Sequence, residues 1–275
     1  MELKGIPELK EDWRWKDQQE AVLSTCSSLI AVVDDGPHRV VQFSHFSVKE
    51  FLTSDRLVTL SADISHFHIL LKPAHTVIVK ACLGVLLRSD NGVGDVEAKS
   101  NSPLAKYAAK HWVDHAQFEK LSTQLQVGMR PLFDPALPYF EKWLKLYDID
   151  QGWDEFTVYV KERGSPLYYA SLCGFHDLAA HLVDKHPQHV NATPGRCPGP
   201  LAAALNKRHF DIAELLYQHG ADVGIRGPGN WTLLHAASVG RFVDIAQWLL
   251  DHCVDAHSQQ GNPETPLHIR KNLLC

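Results

Sequence analysis

Histidines are the most numerous candidates in this sequence for metal binding or acid–base catalysis. The chain has 17 of them, and His111 and His115 stand four residues apart on a predicted helix. Side chains at that spacing share one helix face, so the two imidazoles could hold a metal ion together. However, the residues between them are Trp112, Val113 and Asp114, with no Glu placed as a general base, and no third ligand stands nearby. A solvated helix face is therefore favoured over a metal site.

Candidate nucleophiles are Ser44, which precedes His45, and the cysteines. No G-x-S-x-G context surrounds Ser44. The six cysteines lack the short paired spacings of a zinc module or a disulfide framework, and they are Cys26, Cys82, Cys173, Cys197, Cys253 and Cys275. We therefore expect no catalytic residue, no metal and no cofactor. The sequence predicts a protein that is not an enzyme and that is kept in a reducing, intracellular compartment.

Composition restricts the classes of partner. The chain has 275 residues, 45% of them hydrophobic and 21% charged, and a net charge of -5. This length allows about two domains, and the absence of a basic excess argues against general binding of nucleic acid. The longest apolar run, residues 81–87, is far shorter than a membrane span, and the charged N-terminus does not resemble a secretory signal. We expect a cytoplasmic protein with no nucleic-acid or membrane partner.

A repeated phrase occupies the C-terminal part of the chain. It occurs at residues 165–170, 199–204, 232–237 and 265–269, and each copy carries a leucine in the same place. Leu167 and Leu201 are 34 residues apart, and 33 residues separate Leu201 from Leu234 and Leu234 from Leu267. A constant period of this size is typical of stacked helical repeats, which share one core because no single repeat can bury its apolar face alone.

A second phrase repeats in the same phase. Asp177-Leu178-Ala179 returns as Asp211-Ile212-Ala213 and as Asp244-Ile245-Ala246, each time ahead of further apolar residues at helical spacing. His219-Gly220-Ala221-Asp222-Val223 is the turn between two such units. Together these phrases resemble the ankyrin-repeat family. The resemblance implies an α-solenoid over residues 161–275, with three repeats and a truncated fourth.

Several positions depart from the repeat pattern. Gly199 stands where a capping Thr belongs, and Leu233 replaces the proline of the helix start, so both changes weaken local helix initiation. The glycine at Gly174 becomes Arg208 and Arg241 in the next two repeats. The fourth repeat stops after its first turn, which leaves an apolar face uncovered. We therefore expect that the natural chain continues or that this is a truncated gene product.

The N-terminal half contains one predicted hairpin and several predicted helices. Apolar runs at residues 29–33 and 39–43 flank a loop that contains Asp34 and Asp35, a pattern typical of a β-hairpin. Ser47 and Glu50 have the capping-box spacing, so a helix should begin near Ser47. Further helical stripes are expected over residues 77–86, after a cap at residues 102–103, and after a cap at residues 134–135, the last with Phe140, Trp143, Leu144 and Tyr147 on one face.

Residues 23–57 and 102–118 resemble the part of fungal, basidiomycete-type NACHT proteins that follows the nucleotide-binding core. The resemblance implies a winged-helix-like segment over residues 1–60 and a helical spacer over residues 61–160, giving a mainly α fold with one small β-hairpin. No G-x-x-x-x-G-K-[ST] loop is present, so the NTPase domain of that family is missing from this chain. DNA binding by the winged helix is disfavoured because Asp34 and Asp35 would repel phosphate.

The function that the repeats favour is binding of a protein partner, whose identity the sequence does not reveal. Ankyrin repeats imply a surface made of hairpin tips and inner-helix positions. The resemblance also implies that His235 and His268 tie adjacent repeats together by hydrogen bonds. The expected partner contacts are Arg226, Asn230 and Trp231 at one tip and Tyr169, Leu172, Asn206, Lys207 and Val239 on the inner helices. An alternative is a regulatory fragment that packs on a nucleotide-binding NTPase domain encoded elsewhere.

Overall fold

The computed structural model describes residues 29–35, 38–60, 62–88, 103–150, 163–226, 232–239 and 241–252, and the side chains of residues 34, 35, 38–41, 62, 63, 103 and 239 lie outside this description. Two strands and twelve α-helices are described. The strands are β1 (Ile30–Asp35) and β2 (His38–Phe43). The helices are α1 (Phe46–Thr53), α2 (Ala62–Ser65), α3 (Leu71–Leu86), α4 (Pro103–Gln117), α5 (Gln126–Phe133), α6 (Tyr139–Leu146), α7 (Pro166–Leu172), α8 (His176–Lys185), α9 (Pro200–Asn206), α10 (Phe210–Gln218), α11 (Leu233–Val239) and α12 (Val243–Asp251).

The predicted hairpin is confirmed, although its strands are longer than the sequence indicated. β1 and β2 pair in antiparallel register from Ile30 with Phe43 to Asp35 with His38. Asp34 and Asp35 therefore belong to a strand and not to the loop, because the backbone ladder continues until two residues separate the strands. Apolar β-branched residues favour such pairing, which the acidic pair does not interrupt.

Helix α1 begins at Phe46, so the prediction of a helix start near Ser47 is confirmed, but the capping residue is not Ser47. His45 is the capping residue: its backbone is extended, and its Nδ1 accepts a hydrogen bond from the amide of Ser47 over 3.2 Å. The ring nitrogen thus satisfies one of the free N–H groups at the helix start, the task usually given to a hydroxyl. Among the described side chains of residues 29–70, Leu57 alone is fully buried.

Helices α3 to α6 form a bundle around a cluster of aromatic rings. Trp112 on α4 meets Trp143 on α6 edge-on at 5.2 Å between centroids, and Phe133 lies 5.6 Å from Trp143. The indole N–H of Trp143 donates to the carbonyl of Ala109 over 2.9 Å, which joins α6 to α4. The predicted stripe of α6 is confirmed for Phe140, Trp143 and Leu144, which are buried.

Helix α6 starts later than its sequence suggested. Asp134 accepts a hydrogen bond from the amide of Ala136 over 2.9 Å, and this closes a turn ahead of the helix. The helix itself begins at Tyr139, after Pro138. Asp134 therefore does not cap α6. Tyr147, the last member of the predicted stripe, follows the end of the helix and is only partly buried.

Three helix pairs follow: α7 with α8, α9 with α10, and α11 with α12. Leu167, Leu201 and Leu234 are buried at equivalent places on α7, α9 and α11, as their spacing predicted, and Leu267 lies outside the described residues. Ser165 caps α7 by accepting from the amide of Tyr168 over 3.2 Å. Gly199, at the same place before α9, offers no side-chain cap.

The turn between the two helices of each pair has one backbone conformation. Gly174, Arg208 and Arg241 have φ angles of 73°, 61° and 55°, so all three are left-handed. The change from glycine to arginine in the sequence therefore did not change the turn, although a side chain in this region is disfavoured. A single core of buried residues runs from Val79 on α3 to Leu249 on α12 and includes both the bundle and the helix pairs.

Candidate protein-binding surface

The inner helices of the pairs, α7, α9 and α11, carry most of the predicted partner contacts. Asn206, the last residue of α9, and Lys207, just after it, are exposed. The structure corrects the prediction for Tyr169 and Leu172 on α7, which are buried with 1% and 6% of their surfaces exposed. The accessible part of the predicted inner surface therefore begins at the second helix pair.

The helical bundle is what buries the inner helix of the first pair. The Tyr169 ring lies edge-on to Phe140 and Trp143, at 5.5 and 6.1 Å between centroids. Its hydroxyl donates to Oδ1 of Asp148 over 2.7 Å, and Nε of Arg163 lies 3.4 Å from the other oxygen of that carboxylate. Burial, more than the bond to Asp148, raises the pKa of the tyrosine hydroxyl. An end repeat needs such a cover, because its apolar face would otherwise meet water.

The hairpin tip before the third pair falls largely outside the described residues. Arg226 is exposed, and its backbone forms an antiparallel bridge with Thr232. Asn230 and Trp231 lie in the undescribed residues 227–231, and the side chain of Val239 is also outside the description. The contribution of these four residues to binding stays a prediction.

A half-open cavity of about 610 Å³ lies between the inner helices α9 and α11. Ala202 and Leu205 line it from α9, and Leu233 and Ala236 line it from α11. Phe242 and Ile245 close it from the third pair. Small side chains on both helices leave this space free, and a cavity of this size falls within the range of ligand-binding clefts. Leu172, although buried, reaches the wall of this cavity.

Two cations stand among the lining residues of this cavity. Arg196 and Lys207 are exposed, and neither makes an ion pair or a side-chain hydrogen bond with any described residue. Arg163 and Arg208, in contrast, pair with carboxylates. Both cations are therefore available for a partner, and they stand beside apolar side chains in a cavity whose surface is partly polar and partly apolar.

Asp150 is the one acid among the described residues that line the cavity, and its carboxylate accepts two hydrogen bonds. Its Oδ2 accepts from the hydroxyl of Tyr168 over 2.8 Å and from the amide of Arg196 over 2.9 Å. The amide of Cys197 donates to the same hydroxyl over 3.1 Å. Burial first, and Asp150 after it, raise the pKa of the Cys197 thiol, so this cysteine stays a neutral part of the wall.

Gly195 allows the loop that carries Arg196 to lie against Tyr168. A Cβ at Gly195 would stand 2.7 Å from the Tyr168 ring, and the φ of this glycine is +126°. Both the close contact and the backbone conformation require glycine. Together with the bonds to Asp150, this contact fixes the position of the Arg196 backbone at the edge of the cavity.

The second and third pairs meet through their outer helices. His252 stacks on Trp248 at 3.9 Å between centroids and meets Tyr217 edge-on at 4.5 Å. Nε2 of His252 lies 3.0 Å from Oε2 of Glu214, and its Nδ1 lies 2.7 Å from the carbonyl oxygen of Trp248. This aromatic contact holds the two pairs together on the side away from the cavity.

The histidines considered for chemistry have structural partners. Nδ1 of His115 lies 2.9 Å from Nδ1 of His75, and Nε2 of His115 lies 3.0 Å from the Tyr107 hydroxyl. His111 instead lies 3.6 Å from Asp114. Burial lowers the pKa of His115, and His75 lowers it further. In the described parts of the chain no three His, Cys, Asp or Glu side chains form a group that could hold a metal ion.

His235 makes structural hydrogen bonds, but those described lie within its own helix pair, so the predicted tie between adjacent repeats stays a prediction. Nδ1 of His235 lies 2.6 Å from the hydroxyl of Thr232, and that hydroxyl accepts from the amide of His235 over 3.3 Å. The pair caps the start of α11. His268 lies outside the described residues. Cys82, Cys173 and Cys197 are free thiols, and burial raises the pKa of Cys82 to about 11, which makes it a poor nucleophile.

Arg196, Asp150 and Phe242 are members of the surface that the sequence did not reveal. Arg196 follows Gly195 in a glycine- and proline-rich loop just before a repeat, so its place at a repeat tip could have been inferred from the period. Asp150 gave no such signal, because it comes to the cavity from outside the repeats.

Among the described helices, none has the length and apolar character needed to cross a membrane.

Comparison with known proteins agrees with the repeat period. Residues 201–250 match the family model described as ankyrin repeats (many copies). The chain is 29% identical over 241 residues to azaphilone pigments biosynthesis cluster protein L of Monascus ruber, covering 81% of this chain and 50% of that protein. It is 27% identical over 106 residues to the mouse (Mus musculus) ankyrin repeat and SAM domain-containing protein 6, covering 38% of this chain and 12% of that protein.

A shorter match, 38% identical over 71 residues, is to alpha-latrocrustotoxin-Lt1a of Latrodectus tredecimguttatus and covers 26% of this chain and 5% of the toxin. The chain thus spans about half the length of the Monascus protein and much less of the other two. The helix pairs and the buried leucines of constant period agree with this match, and residues 201–250 consist of ankyrin repeats.

Proposed function

We propose that this chain is a protein-interaction module that holds its partner at the cavity between α9 and α11. The observation that carries the proposal is the half-open cavity between two ankyrin inner helices, with apolar side chains and exposed Asn206, Lys207 and Arg196 among its lining residues. Apolar contacts surrounded by polar groups are what protein interfaces use for affinity and specificity. From the first pair, Leu172 reaches this cavity, while the bundle covers Tyr169.

The proposal includes the absence of catalysis. The sequence contains no phosphate-binding loop. His45 and His235 act in helix caps, His75 stacks on Phe118, and the Cys82 and Cys173 thiols are buried. A binding module needs a shaped surface and no reacting group. We also propose a cytoplasmic location, which follows from the cysteine pattern of the sequence.

The test is capture of partners from a cell extract by the full chain and by two variants. Ala236→Arg places a long side chain in the cavity, at a residue that is exposed. Val243→Arg introduces the same side chain at a residue that is 76% exposed and outside the cavity. We expect proteins captured by the wild type and by Val243→Arg to be lost with Ala236→Arg. Equal capture by all three proteins would refute the proposed surface.

A second candidate function has its own supporting observation. Residues 29–70 bury only Leu57 among their described side chains, while large apolar residues are exposed on α1 and in the segment that follows it. The exposed residues are Phe46, Phe51, Val58, Leu60, Ile64, Phe67 and Leu70. Apolar surface on this scale in a short segment is typical of an interaction site. We propose that this segment, which resembles a NACHT winged helix, packs on a nucleotide-binding domain encoded elsewhere.

This second function predicts a separate partner. Phe46→Asp together with Phe67→Asp should abolish copurification of an ATP-hydrolysing protein, because the charges would prevent burial of residues that are 68% and 59% exposed in the isolated chain. Val243→Asp, on an equally exposed residue of the repeats, is the matched control. The candidate is rejected if the double variant retains the same ATP-hydrolysing protein.

A further inference from the structure

The cavity between α9 and α11 differs in charge from the chain as a whole. The protein carries a net charge of -5, yet among the described residues the cavity lining contains two cations, Arg196 and Lys207, against one carboxylate, Asp150. That carboxylate already accepts two hydrogen bonds from Tyr168 and Arg196. The cavity edge is therefore locally positive on an acidic protein.

Arg196 differs from the other described arginines after residue 160 in its contacts. Arg163 contacts Glu141 and Asp148, and Arg208 contacts Asp244 and the ring of Phe242. Arg226 and Arg241 also have interactions. The Arg196 side chain makes no ion pair and no hydrogen bond with any described residue, although its backbone amide is bound to Asp150. A guanidinium fixed at its base and free at its head is suited to bidentate binding of a carboxylate.

The walls restrict the rest of the ligand. Leu205, Leu233, Phe242 and Ile245 provide apolar surface, and a volume of about 610 Å³ exceeds what one side chain fills. A nucleic acid would meet two cations and an otherwise acidic protein, so electrostatics disfavour it. A peptide with apolar side chains and a neighbouring carboxylate could pack on the apolar side chains of the cavity and pair with the cations at its edge.

We propose that this cavity recognises an acidic and apolar peptide segment of the partner, with its apolar side chains between α9 and α11 and its carboxylate held by Arg196 and Lys207. This inference rests on the proposed function and adds the chemistry of the partner. Salt bridges at such an exposed edge select among partners more than they add affinity, because water and salt screen them.

The experiment is selection of random phage-displayed dodecapeptides on the full-length chain. We expect enrichment of peptides that combine Glu or Asp with Leu, Ile or Phe. Affinity for the selected peptides should fall at least fivefold in the double variant Arg196→Gln with Lys207→Gln, and it should weaken as salt is raised. Lys185→Gln, an unpaired exposed lysine at the end of α8, is the matched control and should leave affinity unchanged.

The possible outcomes separate this inference from the proposed function. Enrichment of basic or uncharged peptides, failure to enrich any peptide, or unchanged affinity in the double variant would overturn the acidic specificity. If the chain binds decanoate but no peptide, and Ala236→Arg abolishes the binding of decanoate, the cavity binds a small apolar acid. This result would refute recognition of a peptide. If capture of proteins still depends on Ala236 while the peptide results fail, the proposed function stands and this inference falls.

Discussion

Replacement of Gly174 by alanine tests the geometry of the turn inside the first helix pair, α7 with α8. Gly174 has a φ of +73°, and a Cβ at this position would stand 2.5 Å from the imidazole of His209. That imidazole cannot easily move away, because it is half-buried. Gly174→Ala therefore combines an unfavourable backbone with a steric clash.

Gly220 separates these two contributions. It has a φ of +83°, but nothing lies within 4 Å of the Cβ position. A side chain in the left-handed region costs about 1–2 kcal/mol, and a reduction of unfolded-state entropy offsets about 0.4–1 kcal/mol of this. Gly220→Ala should thus destabilise by about 1 kcal/mol. Overpacking adds about 1–3 kcal/mol at Gly174, so we expect a total of about 2–4 kcal/mol there.

Urea unfolding followed by circular dichroism measures both free energies. The clash is isolated by adding Gly174→Ala to a His209→Ala background, where its cost should fall to that of Gly220→Ala. Equal costs for the two single variants, or no change in the His209→Ala background, would refute the contact between these neighbouring repeats.

Three further predictions concern the residues that position the surface. Asp150→Ala should lower the free energy of unfolding by about 1–3 kcal/mol in urea titrations, because the buried hydroxyl of Tyr168 loses its acceptor. Thr232→Ala should cost about 1–2 kcal/mol in the same assay, since the start of α11 loses its cap and the contact with His235, whereas Thr232→Ser should be nearly neutral. Burial lowers the pKa of His209 below its ordinary 6.5, so the unfolded chain binds more protons and stability should fall as the pH drops below 6.5; thermal melts from pH 7.5 to 5.5 should show a smaller fall in His209→Gln.

The repeats could be predicted because the same sequence pattern occurs in each of them. The 33-residue period places Leu167, Leu201 and Leu234 on equivalent faces, and the burial of all three follows from the stacking that the period requires. The hairpin was similarly readable, since two β-branched runs lie close in sequence. Arg208 and Arg241 adopt the same left-handed backbone conformation as Gly174. At Arg208 an ion pair with Asp244 accompanies this unfavourable conformation.

Contacts between distant segments could not be read in this way. The burial of Tyr169 depends on Phe140 and Asp148, which belong to the bundle and show no relation to the repeat pattern. The capping of α1 by His45 was missed because imidazole is not among the usual capping side chains. Asp150 reaches the cavity only through the packing of the bundle against the first repeat.

Photo-crosslinking from the cavity edge tests the central claim most directly. A benzophenone side chain at Asn206 would stand at the cavity, while the same group at Val243 would stand on an exposed part of α12 outside it. We expect irradiation in a cell extract to attach a partner protein at position 206 and not at position 243, and the attached peptide to carry acidic and apolar residues. Crosslinks at position 243 alone, or the same crosslinks from both positions, would contradict a partner bound between α9 and α11.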